Sequence, residues 1–131
     1  MTKSDLNTDN ILDQLSEKQL DGNVVADILN KPRKFPTELI EKISIETALK
    51  YWNGDIDFAD GTCIMNNLYF YWQLNPLHFE SEGFSKLSMD CYEAFDAGEY
   101  RREEDGPEVN LGEKYTKPII EEILKSINAI K

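Results

Sequence analysis

The sequence predicts a single, mainly α-helical domain of five or six helices. Two amphipathic stretches carry most of that expectation. Phe84, Leu87, Cys91, Tyr92 and Phe95 recur at helical spacing, with Asp90, Glu93 and Asp96 opposite them. Behind Pro118, the residues Ile119, Ile120, Ile123, Leu124, Ile127 and Ile130 mark a second stripe. A third stretch, Thr62 to Leu74, is apolar almost all round, with Asn66, Asn67 and Gln73 as its polar members. Such a helix belongs at the centre of a domain, with the helices near 84–97 and 118–130 packed on it. The alternative is an α+β fold, because Leu68 to Leu74 has high β propensity and Asn75-Pro76 would close a small hairpin near 68–79. Cys63-Ile64-Met65-Asn66-Asn67 lacks the alternation of a half-buried strand, which favours the helix.

The remaining elements follow from local signals. Thr8-Asp9 reads as a helix start, with Ile11, Leu12 and Leu15 at helical spacing and Leu20 one turn on. Gly22 is expected to stop that helix, and Asn23 to cap a second one carrying Val24, Val25, Ile28 and Leu29. Lys31-Pro32-Arg33-Lys34-Phe35-Pro36 forms a linker-like turn at 31–36, since two prolines forbid a helix through it. From Pro36 a helix runs to about Trp52. Its apolar positions change face midway, so it is either buried on two sides or broken at Ser44. Asn53-Gly54 ends it, Asp55 to Gly61 forms a loop, and Asp60 is placed to cap the helix that follows. Glu99 to Leu111 reads as a polar loop.

At 131 residues one domain, 1–131, is the default, and the chain is long enough to bury a core without staples. Between Tyr51 and Tyr100 lie 12 of the 14 aromatic residues, so this half must hold most of the core. Charge is gathered there too. Gly54 to Glu113 holds 14 acidic residues against Lys86, Arg101 and Arg102, and this segment accounts for the whole net charge of −11. That charge opposes binding to nucleic acid or to an anionic membrane, both polyanions, and favours a basic protein partner. No apolar run approaches the ~18 residues of a membrane span, and Met1-Thr2-Lys3-Ser4-Asp5 lacks the pattern of a signal peptide. A cytoplasmic location is expected, with Cys63 and Cys91 as buried thiols rather than a disulfide.

The residues that could carry chemistry do not assemble into a motif. His78 is the single histidine, and no nucleophile–base pattern surrounds it. A zinc site from Cys63, Cys91, His78 and a carboxylate has spacings unlike those of zinc proteins. Asp55-Ile56-Asp57-Phe58-Ala59-Asp60-Gly61 departs from a calcium loop, which needs glycine at the sixth position and glutamate at the twelfth, where Asp60 and Asn66 stand. No phosphate-binding glycine loop occurs, and Arg101-Arg102 is too small and too surrounded by acid for a nucleic-acid patch. The expectation is therefore no catalytic residue, no metal and no cofactor. What remains is an acidic face, Asp90, Glu93 and Asp96, continued by Glu99, Glu103, Glu104 and Asp105, with Tyr100 as an aromatic anchor.

In size, charge and aromatic–acidic mixture the chain resembles the small acidic immunity proteins that bacteria make against their own nuclease toxins. The resemblance implies a cytosolic binding protein without catalysis that occludes a basic toxin domain. The alternatives are a different interaction or regulatory module, which could self-associate as a homodimer, and last a carboxylate-based enzyme.

Overall fold

The computed structural model describes residues 8–74 and 83–131. Its described residues form six α-helices and no strand: α1 (Thr8–Leu15), α2 (Gly22–Ile28), α3 (Thr37–Asn53), α4 (Phe58–Leu74), α5 (Lys86–Ala97) and α6 (Lys117–Ser126), the last entered through a π-helical turn at Gly112–Thr116. The all-helical expectation holds. Leu68 to Leu74 is the last part of α4, which removes the strand reading of that stretch. Residues 75–79 of the proposed hairpin, with His78, lie outside the described residues.

The centre is a three-helix contact in which α3, α4 and α5 each pack on the other two. The short pair α1 and α2 covers α4, and α6 covers chiefly α3 and α5 rather than α4 as expected. Within α4, Ile64, Met65 and Leu68 are fully enclosed and Tyr71 nearly so. Two aromatic clusters fill the seams. Tyr51, Phe58 and Phe95 meet with ring centroids 5.2–6.5 Å apart. Tyr69 stacks face to face on Tyr92 at 4.0 Å, and meets Trp72 and Phe84 edge-on. Phe35, from the proline turn at 31–36, is buried against Tyr71 at 5.6 Å and fastens that turn to α4.

Several local expectations are corrected. Gly22 does not stop α1; α1 ends at Leu15 and Gly22 opens α2. The cap of α2 is Asp21, not Asn23, because the Asp21 carboxylate accepts the backbone N–H groups of Asn23 and Val24. Asp57, not Asp60, starts α4: its carboxylate accepts the Asp60 N–H at 2.8 Å, while Asp60 reaches back toward the Asp57 N–H at 3.5 Å. Asn53-Gly54 does end α3, with Gly54 in the left-handed region at φ 81°.

Helix α3 is unbroken at Ser44. Its buried stripe runs Ile40, Ile43, Ser44, Thr47, Ala48 and Tyr51, one continuous helical face. Ser44 and Thr47 are tolerated inside because each hydroxyl donates to a carbonyl of the preceding turn, Ile40 at 2.8 Å and Ile43 at 2.7 Å. In α6, Ile120, Ile123 and Leu124 are buried, but Ile119 is exposed and Ile127 and Ile130 are half-buried. The helix also ends at Ser126, short of 130. Pro118 explains the π-helical turn before it. A proline ring clashes with the carbonyl four residues back in a regular α-helix. Here the helix is widened just before the ring, with the Lys117 N–H reaching the Gly112 carbonyl five residues back.

Candidate functional site

The acidic face begins on α5. Ser85 caps this helix by accepting the Ser88 N–H at 3.1 Å, and Ser88, Cys91, Ala94 and Phe95 are buried against α3 and α4. That burial rotates Glu93 and Asp96 into solvent, where both are exposed. Asp90 is half-buried and pairs with Lys86 one turn back at 3.0 Å. Glu99 is exposed just beyond the Gly98 cap and accepts a hydrogen bond from the Asn66 side-chain amide at 3.3 Å.

The loop that follows is held by its own arginines. The Arg102 guanidinium lies over the Tyr100 ring at 4.0 Å and over the Tyr115 ring at 3.6 Å, and donates to the carbonyls of Ala97 and Tyr100. Arg101 donates to the carbonyls of Gly106 and Val109. Tyr100 remains 57 % exposed, and Glu103 and Glu104 stand exposed on the turn.

Asp105 differs from its neighbours. Its side chain is fully enclosed and takes hydrogen bonds from the Arg102 N–H at 3.0 Å, the Tyr115 hydroxyl at 2.9 Å and the Lys114 ammonium at 2.5 Å. Those donors, Lys114 first, hold its carboxyl down at about 2 against burial. It joins the loop to the π-helical turn and offers no charge to a partner. The sequence-predicted face therefore loses Asp105, and Asp90 is half-buried and paired, while Glu93, Asp96, Glu99, Tyr100, Glu103 and Glu104 are accessible.

The cations of the segment do not neutralise those acids. Among the described residues no ion pair involves Glu93, Asp96, Glu99, Glu103 or Glu104. Tyr92, on the same helix, registers the result. Its hydroxyl is pushed above its ordinary value first by burial, then by Asp96, by the stacked Tyr69, and by Glu99 and Glu93.

Beside the face runs a feature that the sequence reading did not find, an open groove of about 490 Å³. It is lined by the outer side of α4, with Ala59, Cys63, Asn66 and Phe70, by Gly98 and Glu99 beyond α5, and by Gln19 from the connection between α1 and α2. Phe70 is 41 % exposed. The available signal was the recurrence of Ala59, Cys63, Asn66 and Phe70 at three- and four-residue spacing, the one side of α4 without a large aliphatic residue. The thiol of Cys63 is half-buried in this groove and is pushed up by burial, then by Asp60. The Cys91 thiol is fully buried and pushed up to about 12, again chiefly by burial. Among the described residues no three His, Cys, Asp or Glu side chains gather closely enough to hold a metal ion, and no helix is long and apolar enough to cross a membrane.

Set beside known proteins, the chain matches no family model, no curated protein and no solved structure.

Proposed function

We propose that this chain is a non-catalytic, cytoplasmic docking protein that receives a basic protein partner on its acidic face. The observation that supports the reading is a set of surface carboxylates, Glu93, Asp96, Glu99, Glu103 and Glu104, without ionic partners among the described residues. Arg101 and Arg102 are spent on their own loop, and Lys86 is spent on Asp90. Like charges gathered on one face repel one another, and a partner of opposite charge relieves that repulsion while being steered to the site.

The partner class implied by the resemblance to immunity proteins is a nuclease-type toxin. A surface that grips nucleic acid is necessarily basic, so an acidic protein that covers it competes with the polyanionic substrate. The test starts from the immobilised chain, with a lysate applied at low salt and eluted by rising salt. A basic protein should be retained by the native chain and not by the Glu93→Lys/Asp96→Lys variant. If that protein cleaves DNA or RNA, cleavage should stop when one equivalent of the chain is added. Retention equal on both resins would contradict the reading.

A further inference from the structure

We propose that the groove beside the acidic face seats an amphipathic, cationic helical segment of the partner, whose apolar side chains lie on Phe70 and the outer side of α4 while its lysines or arginines meet Glu99 and the neighbouring acidic face. This rests on the docking reading above and names the part of the partner that is held.

Three features point to that occupant. The first is shape. The outer side of α4 lines the groove from Ala59 to Phe70, roughly 17 Å at about 1.5 Å per residue. That is a trough for about three turns of helix rather than a chamber enclosing a small molecule. The second is the lining. Phe58, Ala59, Cys63 and Phe70 give apolar surface, and Phe70 leaves much of its ring uncovered. An apolar side chain lying there removes that surface from water.

The third is charge. Glu99 is itself a groove residue, and Asp96, exposed, stands about one turn before it on α5. An anionic or neutral helix meets repulsion or loses hydration along this rim, whereas a cationic one is complementary to it. Acid alone attracts any polycation; the trough adds a demand for apolar residues at helical spacing.

Two synthetic peptides of equal length and charge separate these contributions. One carries leucine and lysine in a helical amphipathic pattern, and in the other every leucine is serine. Binding to the full chain is followed by calorimetry at low and at physiological salt. The leucine peptide is expected to bind about tenfold or more tightly than the serine peptide, the effect of burying about one leucine side chain. Two separate changes, Ala59→Arg and Phe70→Ala, should abolish most of that difference while circular dichroism stays native. Glu93→Lys/Asp96→Lys should weaken both peptides alike. Equal binding of the two peptides would overturn the groove proposal and leave the docking reading standing. Leucine-peptide binding untouched by both groove variants would do the same. No binding of either peptide at low salt would overturn both. Self-association in sedimentation that Ala59→Arg abolishes would make the occupant a second copy, which also overturns the proposal.

Discussion

The backbone of Gly61 in α4 lies flush against the ring of Phe95 in α5: a Cβ at position 61 would overlap the Cε1 and Cζ atoms of that ring. Phe95 is 1 % exposed and wedged against Tyr51 and Phe58, so the ring has nowhere to go. Gly98 and Gly112 make the same kind of approach to Phe58: a Cβ at either position would stand 2.9 or 3.0 Å from that ring. Three glycines thus let three backbone segments close on one aromatic cluster.

Gly61→Ala should therefore destabilise the protein, although alanine is the better helix former. Helix propensity favours the change by about 1 kcal/mol, and overpacking a rigid core opposes it by about 1–3 kcal/mol. Urea unfolding should show a lower midpoint with an unchanged slope. A midpoint equal to or above that of the native chain would mean that α4 and α5 are not packed as described.

Asn67 is the second buried tie. Its carbonyl accepts the Leu20 N–H at 2.9 Å, and its amide donates to the carbonyls of Leu15 at 2.8 Å and Lys18 at 2.9 Å. One side chain thus satisfies the end of α1 and the connection to α2. Asn67→Ala leaves these groups without partners and should cost roughly 2–4 kcal/mol, at about 1 kcal/mol for each lost bond plus the exposed cavity. Amide exchange between Ser16 and Asp21 should accelerate more than in α5. A loss below about 0.5 kcal/mol would show that water replaces Asn67 without penalty.

Asp105 gives the fold an acid sensitivity of known sign. Its carboxyl lies below its ordinary 3.8, at about 2, in the folded chain. The unfolded chain therefore takes up the proton first as pH falls. The stabilisation is complete above the ordinary value and is lost between about 4 and about 2. Asp105→Asn removes this contribution, so its stability curve should be flatter than the native one across that interval. Carbon-detected titration of the Asp105 carboxyl with a midpoint near 3.8 in the folded protein would contradict the clasp.

The two thiols should differ in reactivity. Only the thiolate reacts, and both groups are pushed up, Cys91 to about 12. With an aromatic disulfide reagent at neutral pH one thiol should react slowly, and it should vanish in Cys63→Ser. The other should react only on unfolding. Rapid labelling of Cys91 in the folded protein would place α5 wrongly.

Much of this architecture was legible because helices announce themselves locally. The periodic stripe of α5, the isoleucines of α6 and the all-round apolarity of α4 each report a helix from neighbouring residues alone. What was not legible depends on contacts distant in sequence. Ser44 and Thr47 count as polar in any pattern, yet they complete the buried face of α3 by bonding to their own helix. Asn67 is one of three polar members of an otherwise apolar segment, and its partners lie about fifty positions away. Asp105 was indistinguishable from Glu103 and Glu104 until Lys114 and Tyr115 closed over it. Of the candidate face, Glu93 and Asp96 follow from the spacing of their apolar neighbours. The groove beside them arises where α4 meets the end of α5, a juxtaposition that no single stretch of sequence contains.

The central claim is that the acidic face draws in a basic partner, and it is tested by the association rate of the salt-eluted partner. That rate is to be measured between about 50 and about 500 mM salt for the native chain and for Glu93→Lys/Asp96→Lys, since the screening length falls severalfold over this range. The native rate should fall steeply as salt rises. The variant should associate more slowly at low salt, with a flatter dependence and native circular dichroism. A rate indifferent both to salt and to the two reversals would mean that the carboxylates of α5 serve only to keep the surface wet.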